Sequence, residues 1–495
     1  MYCLPEKMGI KSEAIFEYVK KLEDSRLFTH DMIIMRHGKI IYEAYWKPFH
    51  EEFQHRMYSV SKSFVSIAIG FLIQEGKISL DDKLEKYFYD ELKNQDDENM
   101  HNQTIRHTLM MSTCKPCRYW FSAKPKDRVK YYFENTSKNT RPSGTVFEYD
   151  SCGSFVLGAL VERICGMPFM DYLRIKLFDK IGVSKEAYCL KCPGGHSWGD
   201  SAILCTPRDL MLVAQFIMNK GEWNGEQILD REYVESAISN QINTNILGSN
   251  EADEQGYGYL IWRTFDNSFY FNGMGCQLAI CIPDKDIVFV YNGDNQGKAQ
   301  AKKIIIENFF EMISRKCEDN PVVEDFSSIR ALAEYTSKLS LKTAIGNKTS
   351  LMLDEINDVT YVLNENTMGI AKIKFKLDDS KGVFYYTNEQ GDKELPFGMC
   401  ENIYDYFPQD GYSDEIANTA GNRRYKCASS AAWIAPNVLE IQVQIIDKYF
   451  GVLDMRFGFT ENKVAVYMYK VAEDFLSEYC GSATGYMRRE DRRCS

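Results

Sequence analysis

No stretch of this 495-residue chain approaches the roughly 18 consecutive apolar residues that a membrane-spanning helix needs. Residues 1–30 are polar and amphipathic and lack the continuous apolar centre of a secretory leader. No basic block stands out before the tail, and the net charge of −11 is the wrong sign for a nucleic-acid binder. The tail from Met487 to Cys494 mixes both charge signs and reads as a frayed terminus. Seven histidines are scattered, with no His-x-x-x-His or His-Glu-x-x-His pair, so no catalytic metal is expected. Internal repeats and low-complexity tracts are missing as well. These absences leave neither a membrane nor a nucleic acid as an expected partner.

What is present is ordinary globular material, 44% hydrophobic and 26% charged. The length exceeds one ordinary core, so two or three domains are expected. Cysteine is plentiful. Fifteen of them, an odd number without an export signal, read as reduced thiols in a cytoplasm. Two Cys-x-x-Cys pairs occur, Cys114/Cys117 and Cys189/Cys192. Together they could form a four-thiolate zinc site, but neither has a zinc-ribbon context.

Periodicity divides the chain. Residues 10–24 read as an amphipathic helix, and Met32–Met35 and Ile40–Tyr45 as a hairpin around Gly38. A mostly apolar helix runs from Ser59 to a stop at Gly76. Residues 77–180 are rich in helix and loop. Residues 207–220 form an amphipathic helix with Pro207 at its start. Strand signals return at Gly256–Trp262, Ser268–Phe271, Gln277–Ile282 and Ile287–Tyr291, and a helix at 297–316 follows. Strands bracketing a helical middle imply an α+β domain, one antiparallel sheet covered by helices. After Cys317 the texture changes. A helix at about 326–342 leads into short alternating strands, which read as a β-sandwich or small barrel.

The helix from Ser59 opens on Tyr58-Ser59-Val60-Ser61-Lys62. Positions i and i+3 share a helix face, so the Ser59 hydroxyl and the Lys62 amine can meet. That is the geometry of a serine activated by lysine. The helix N-terminus and burial both oppose a positive charge on Lys62, leaving a neutral amine to take the serine proton. A rival copy, Ser112-Thr-Cys-Lys115, is followed by Pro116, which places it in a loop. The bland alternative for Ser59 is an N-cap serine beside a snorkelling lysine.

A lysine-activated serine also needs a second proton relay, an oxyanion hole and a wall for the acyl group. Pro142-Ser-Gly-Thr-Val-Phe-Glu-Tyr149-Asp-Ser151 offers Tyr149 as the relay, just before an apolar helix. Ser-x-x-Lys, then this Pro-x-Gly-x-x-Phe-x-Tyr-x-Ser block, then Gly166-Met-Pro-Phe-x-x-Tyr-Leu173 resembles the class C β-lactamase-like serine hydrolases. Gly194–Ser201, Thr206–Asp209, Lys220–Asp230 and Tyr257–Trp262 continue the resemblance in order, over about residues 5–316. It implies a β-lactamase/transpeptidase-like domain over 1–318, a linker and helix over 319–342, and a C-terminal β domain over 343–485. That last part resembles the lipocalin-like barrels appended to some bacterial relatives.

Carried across, the resemblance implies Ser59 as nucleophile, Lys62 as its base and Tyr149 as partner acid and base. The oxyanion hole would be the N–H groups of Ser59 and Cys276. Ser151 stands where the family more often has asparagine. The family's Lys-Thr-Gly or His-x-Gly motif aligns with Gly273-Met274-Gly275, so its substrate-binding cation is missing. Such a contact contributes about 1.5–3 kcal/mol, and its loss points away from β-lactams toward an uncharged ester or amide. Tyr58, Trp120, Trp198 and Trp262 are candidate cleft walls. The expected activity is an intracellular, bacterial-type serine hydrolase without cofactor, acting on a small-molecule ester or amide. An acyltransferase using the same acyl-enzyme, and a catalytically idle sensor, are the alternatives.

Overall fold

The computed structural model describes residues 2–117, 125–135, 140–245, 250–410, 424–473 and 475–488. It divides into two compact units, the first running to Ser340 and the second beginning at Leu341.

The first unit is built on a six-stranded antiparallel sheet. Its strands are β1 (Thr29–Arg36), β2 (Lys39–Tyr45), β3 (Trp262–Arg263), β4 (Phe269–Gly273), β5 (Gln277–Ile282) and β6 (Ile287–Gly293). The spatial order is β2-β1-β6-β5-β4-β3. Every residue of β1, β5 and β6 is buried. Their near-continuous apolar runs are therefore those of strands covered on both faces. Helices α1 (Ser12–Asp24) and α5 (Ala301–Met312) cover one face, where Phe289 stacks on Phe309 at 3.9 Å and Tyr18 meets Phe289 edge-on. Helix α4 (Pro207–Met218) covers the other, and Cys281 Sγ donates to the Ala214 carbonyl. The hairpin β1–β2 turns at His37-Gly38, both at positive φ, which is the turn that a right-twisted hairpin prefers.

Between these strands lies the helical region. Helix α2 (Ser61–Gln74) is buried from Ser61 to Leu72, and Gly76 stops it in the left-handed conformation. Helix α3 (Ser151–Cys165) starts at an Asp150 N-cap. Helix α4 opens on a capping box between Thr206 and Asp209, with Pro207 at its start as expected. Among the described residues, no single helix is long and apolar enough to cross a membrane.

One expectation needs correction. Gly256–Ile261 is not a strand. Gly256 and Leu260 have φ of 104° and 56°, and a Cβ on Gly258 would lie 2.0 Å from the Ala237 carbonyl oxygen. The segment is an irregular loop that buries Tyr257 and Tyr259, with isolated bridges from Tyr257 to Ile242 and Trp262 in place of a strand. The helix after Cys317, α6 (Phe326–Thr336), belongs to the first unit. Tyr335 meets Phe16 of α1 edge-on at 5.2 Å, and the hydroxyls of Thr336 and Tyr42 lie 3.0 Å apart.

The second unit is a closed β-barrel. Ten strands from Thr360 to Met487 form one sheet. It closes where Gly391–Met399 pairs in parallel with Lys426–Ala435 through Gly398↔Ser430 and Met399↔Ala431. Nine strands make the ring, and the tenth, Ile403–Tyr406, adds outside it. Burial alternates along the strands, as a half-buried sheet demands. Phe375, Phe384 and Phe457 meet inside with ring centroids 4.9–5.2 Å apart.

A buried histidine pair joins β1 to the short strand His55–Arg56. His55 Nδ1 donates to the Arg56 carbonyl at 2.9 Å, so His55 Nε2 accepts from His30 Nδ1, also at 2.9 Å. His30 stacks on Phe49 at 4.0 Å. Burial lowers both rings' proton affinity, His55 to about 3. A histidine lowered in the folded state contributes stability that is full above its unfolded value and lost as pH falls. Stability measured by denaturant titration with fluorescence should therefore begin to fall as pH drops below about 6.5, the unfolded value. A His55→Gln variant should lose less stability than wild type between there and about pH 3.

Candidate active site

Ser59 lies half-buried in a single 3-10 turn, Tyr58–Val60, that leads into α2. Lys62 Nζ donates to Ser59 Oγ at 2.9 Å and to the Asp200 carbonyl at 2.7 Å. The helical spacing brings the two together as expected, and the Lys62 side chain is 2% exposed. Tyr58, just before the serine, has φ +47°, a strained value for a residue with a side chain. Neighbouring elements hold the turn in place. Met57 N–H donates to the Ile203 carbonyl at 2.9 Å, and Ile203 N–H donates to Ser61 Oγ at 3.1 Å. Ser63 Oγ donates to the Leu260 carbonyl at 2.9 Å.

The end of β4 closes on this turn. A Cβ on Gly273 would stand 2.5 Å from Met57 O and 3.3 Å from Val60 N. No side chain fits there without moving the backbone. The absence of a cation at 273 is thus a requirement of packing. The following turn, Met274–Cys276, has Gly275 and Cys276 at φ 77° and 71°. Gln277, fully buried, donates to the carbonyls of Met274 (2.6 Å) and Gly293 (2.9 Å) and accepts from Gly293 N–H. Asn295 N–H donates to the Gly275 carbonyl at 3.1 Å. Neither Gln277 nor Asn295 was foreseen, because their targets are backbone atoms distant in sequence. The Cys276 N–H, expected as an oxyanion donor, donates to Gly273 O at 3.2 Å and so closes the turn. Burial pushes the Cys276 thiol up to about 12, leaving it neutral.

Tyr149 arrives from the loop before α3. Its ring is near-parallel to Trp262, with centroids 6.0 Å apart, and Lys62 Nζ lies 5.2 Å from its centroid. Asp150 fixes that loop, its carboxylate accepting from Gly153 N–H at 3.0 Å and from Thr113 Oγ1 at 2.8 Å. Ser151, half-buried, is the first residue of α3. Ser59, Lys62 and Tyr149 are thus gathered, with Gly273 and Gly275 on the β4–β5 side.

Other expected residues fall elsewhere. Tyr58 and Trp198 are 1% and 0% exposed, so they back the site instead of walling a cleft. Arg56 lies over both rings, 4.4 and 4.8 Å from their centroids, and Arg128 lies 4.6 Å from that of Trp198. Trp120 is outside the described residues. The rival Ser112 donates its hydroxyl to the His107 carbonyl at 3.1 Å, in the loop where Pro116 was expected to place it. Among the described residues, no three His, Cys, Asp or Glu side chains gather to hold a metal. Cys152 Sγ donates to the Cys117 carbonyl, and Cys192 Sγ accepts from Arg128.

Asp200 is the group that sequence reasoning missed. It is fully buried, with Oδ2 4.0 Å from Lys62 Nζ. Burial pushes its carboxyl up to about 6, opposed by the charges of Lys62, Arg128 and Arg56.

Gly273→Ala should force β4 off the Ser59 turn. We expect a loss of about 100-fold in kcat/KM on an ester substrate, with near-UV circular dichroism largely retained. A variant as active as wild type would show that the close approach is dispensable.

The Beta-lactamase family profile matches residues 29–306. The chain is similar to 6-aminohexanoate-dimer hydrolase of Paenarthrobacter ureafaciens, with 24% identity over 251 residues, covering 48% of this chain and 64% of that protein. It thus spans less than two thirds of that relative's length. Among solved structures, it resembles a putative 6-aminohexanoate-dimer hydrolase from Bacillus anthracis (22% identity, TM-score 0.50, 59% of this chain and 80% of that one). It also resembles an octameric penicillin-binding protein homologue from Pyrococcus abyssi (16% identity, TM-score 0.50, 95% of this chain and 99% of that one). Both likenesses speak to the fold. With more than half its length matched by the family profile and a lysine-paired serine in the matched part, the chain belongs to the β-lactamase family of serine hydrolases.

Proposed function

We propose that the protein hydrolyses an ester or amide through an acyl-enzyme on Ser59. The observation that carries the reading is the 2.9 Å contact between Lys62 Nζ and Ser59 Oγ, in a turn held by three neighbouring segments. Lys62 takes the hydroxyl proton as Ser59 Oγ attacks the carbonyl carbon. The oxyanion is held by the N–H groups of Ser59 and Cys276, the latter shared with its long turn bond to Gly273 O. Tyr149 passes a proton to the leaving alkoxide or amine and then takes one from the water that attacks the acyl-enzyme.

The substrate reading follows from Gly273. With no side chain possible there, the β4 edge offers no cation at the position where the family resemblance implies one. That favours a neutral acyl group over a carboxylate-bearing β-lactam. A relative named for a 6-aminohexanoate dimer supports an amide or ester bond as the target.

A fluorophosphonate probe tests the nucleophile. Intact wild type should label at Ser59, and Ser59→Ala should not. Equal labelling of the two would refute the reading. Lys62→Met should lower kcat/KM for a short-chain p-nitrophenyl ester by about 10²–10⁴-fold. Nitrocefin should be turned over poorly, and rapid turnover would overturn the inference from Gly273.

A further inference from the structure

The folded chain sets one acidic group beside Lys62. Asp200 lies between Trp198 and the short strand Ile203–Cys205, and it touches Lys62 twice. Its backbone carbonyl accepts from Nζ at 2.7 Å, and its Oδ2 stands 4.0 Å from the same nitrogen. No other residue among those described donates a hydrogen bond to either carboxylate oxygen, and the polar contact left is with its own backbone N–H.

A buried carboxylate with no donor from another residue persists only where charge opposes it. The charged groups around Asp200 are Lys62 from α2, Arg56 from the segment before Ser59, and Arg128 from the helix Arg128–Asn135. The thiols of Cys152, Cys189 and Cys192 are its remaining titratable neighbours. Both guanidiniums are engaged elsewhere as well. They lie over Trp198, Arg56 donates to Ser201, and Arg128 donates to Cys192 Sγ. The ammonium at ion-pair distance is that of Lys62.

Taking Ser59 and Lys62 as nucleophile and base, we infer that Asp200 is a positioning residue for the pair. Its carbonyl fixes where the Lys62 nitrogen sits, and its buried carboxylate sets the pH at which Ser59 becomes reactive. Removing that anion lets the neutral amine form at lower pH. An Asp200→Asn change keeps the carbonyl contact and the side-chain shape while deleting the charge.

The test is trace acetylation of Lys62 with acetic anhydride across a pH series, read by peptide mass spectrometry. The midpoint in Asp200→Asn should fall below that of wild type by about one pH unit or more, and Asp200→Glu should stay near wild type. Coincident midpoints, or an upward move, would overturn the inference. A second variant covers the case in which Asp200→Asn does not fold. Lys62→Met removes the ammonium at ion-pair distance, the largest of the three charges opposing burial of Asp200, and should show a carboxylic-acid infrared band at neutral pH that wild type lacks. A folded Lys62→Met protein without that band also refutes the inference. Neither readout depends on Ser59 chemistry. Fluorophosphonate labelling of the same wild-type sample judges the nucleophile separately.

Discussion

A lysine with 2% of its side chain exposed dictates what surrounds it. Three N–H groups and a positive charge need acceptors wherever water is excluded. Here one N–H meets the Ser59 hydroxyl, another meets the Asp200 carbonyl, and the Asp200 carboxylate supplies the opposing charge. The face of the Tyr149 ring closes a further side. Helix α2, the segment around Asp200 and the loop before α3 converge because each delivers one of these groups. The site is an answer to the solvation of one ammonium.

A second constraint is steric. β4 comes so close to the Ser59 turn that Gly273 has no room for a Cβ. Gln277 and Asn295 then tie the adjoining turn to the end of β6 and the residues beyond it. The family resemblance implies a cation at 273, where this chain has glycine. The residue that leaves this position uncharged is the one that lets backbone approach backbone.

Local features were legible in the sequence. Ser59 and Lys62 are three residues apart on one helix, so their meeting needs no tertiary knowledge. Tyr149 was legible only through the order of motifs in the family resemblance, since a tyrosine at a helix entry more often simply packs there. The sheet strands announced themselves through apolar runs. Asp200 was not legible, although its segment was noticed, because its proximity to Lys62 depends on how two distant segments pack. Tyr58 and Trp198 were read as walls since an aromatic beside a motif can serve either cleft or core, and burial alone separates the two. Gly256–Ile261 alternates like a strand, yet close backbone approach at Gly258 makes it a loop. The helix Phe326–Thr336 was legible as a helix, but its partner, α1, was not, because α1 lies some 300 residues earlier in the chain.

The order of strands in the first unit has a consequence for how the chain is made. β1 pairs with both β2 and β6, yet β1 ends at Arg36 and β6 begins at Ile287. About 250 residues separate the two, and at ribosomal speed they take about 10–50 s to synthesise. Throughout that interval β1 has its hairpin partner on one side and an unsatisfied edge on the other. The Ser59 turn and α2 are made early in that wait, with β4, which packs against the turn, still to come. Ser59 and Lys62 are therefore translated long before the strand that closes on them, and a nascent chain that stalls before Gly293 holds the pair without that cover.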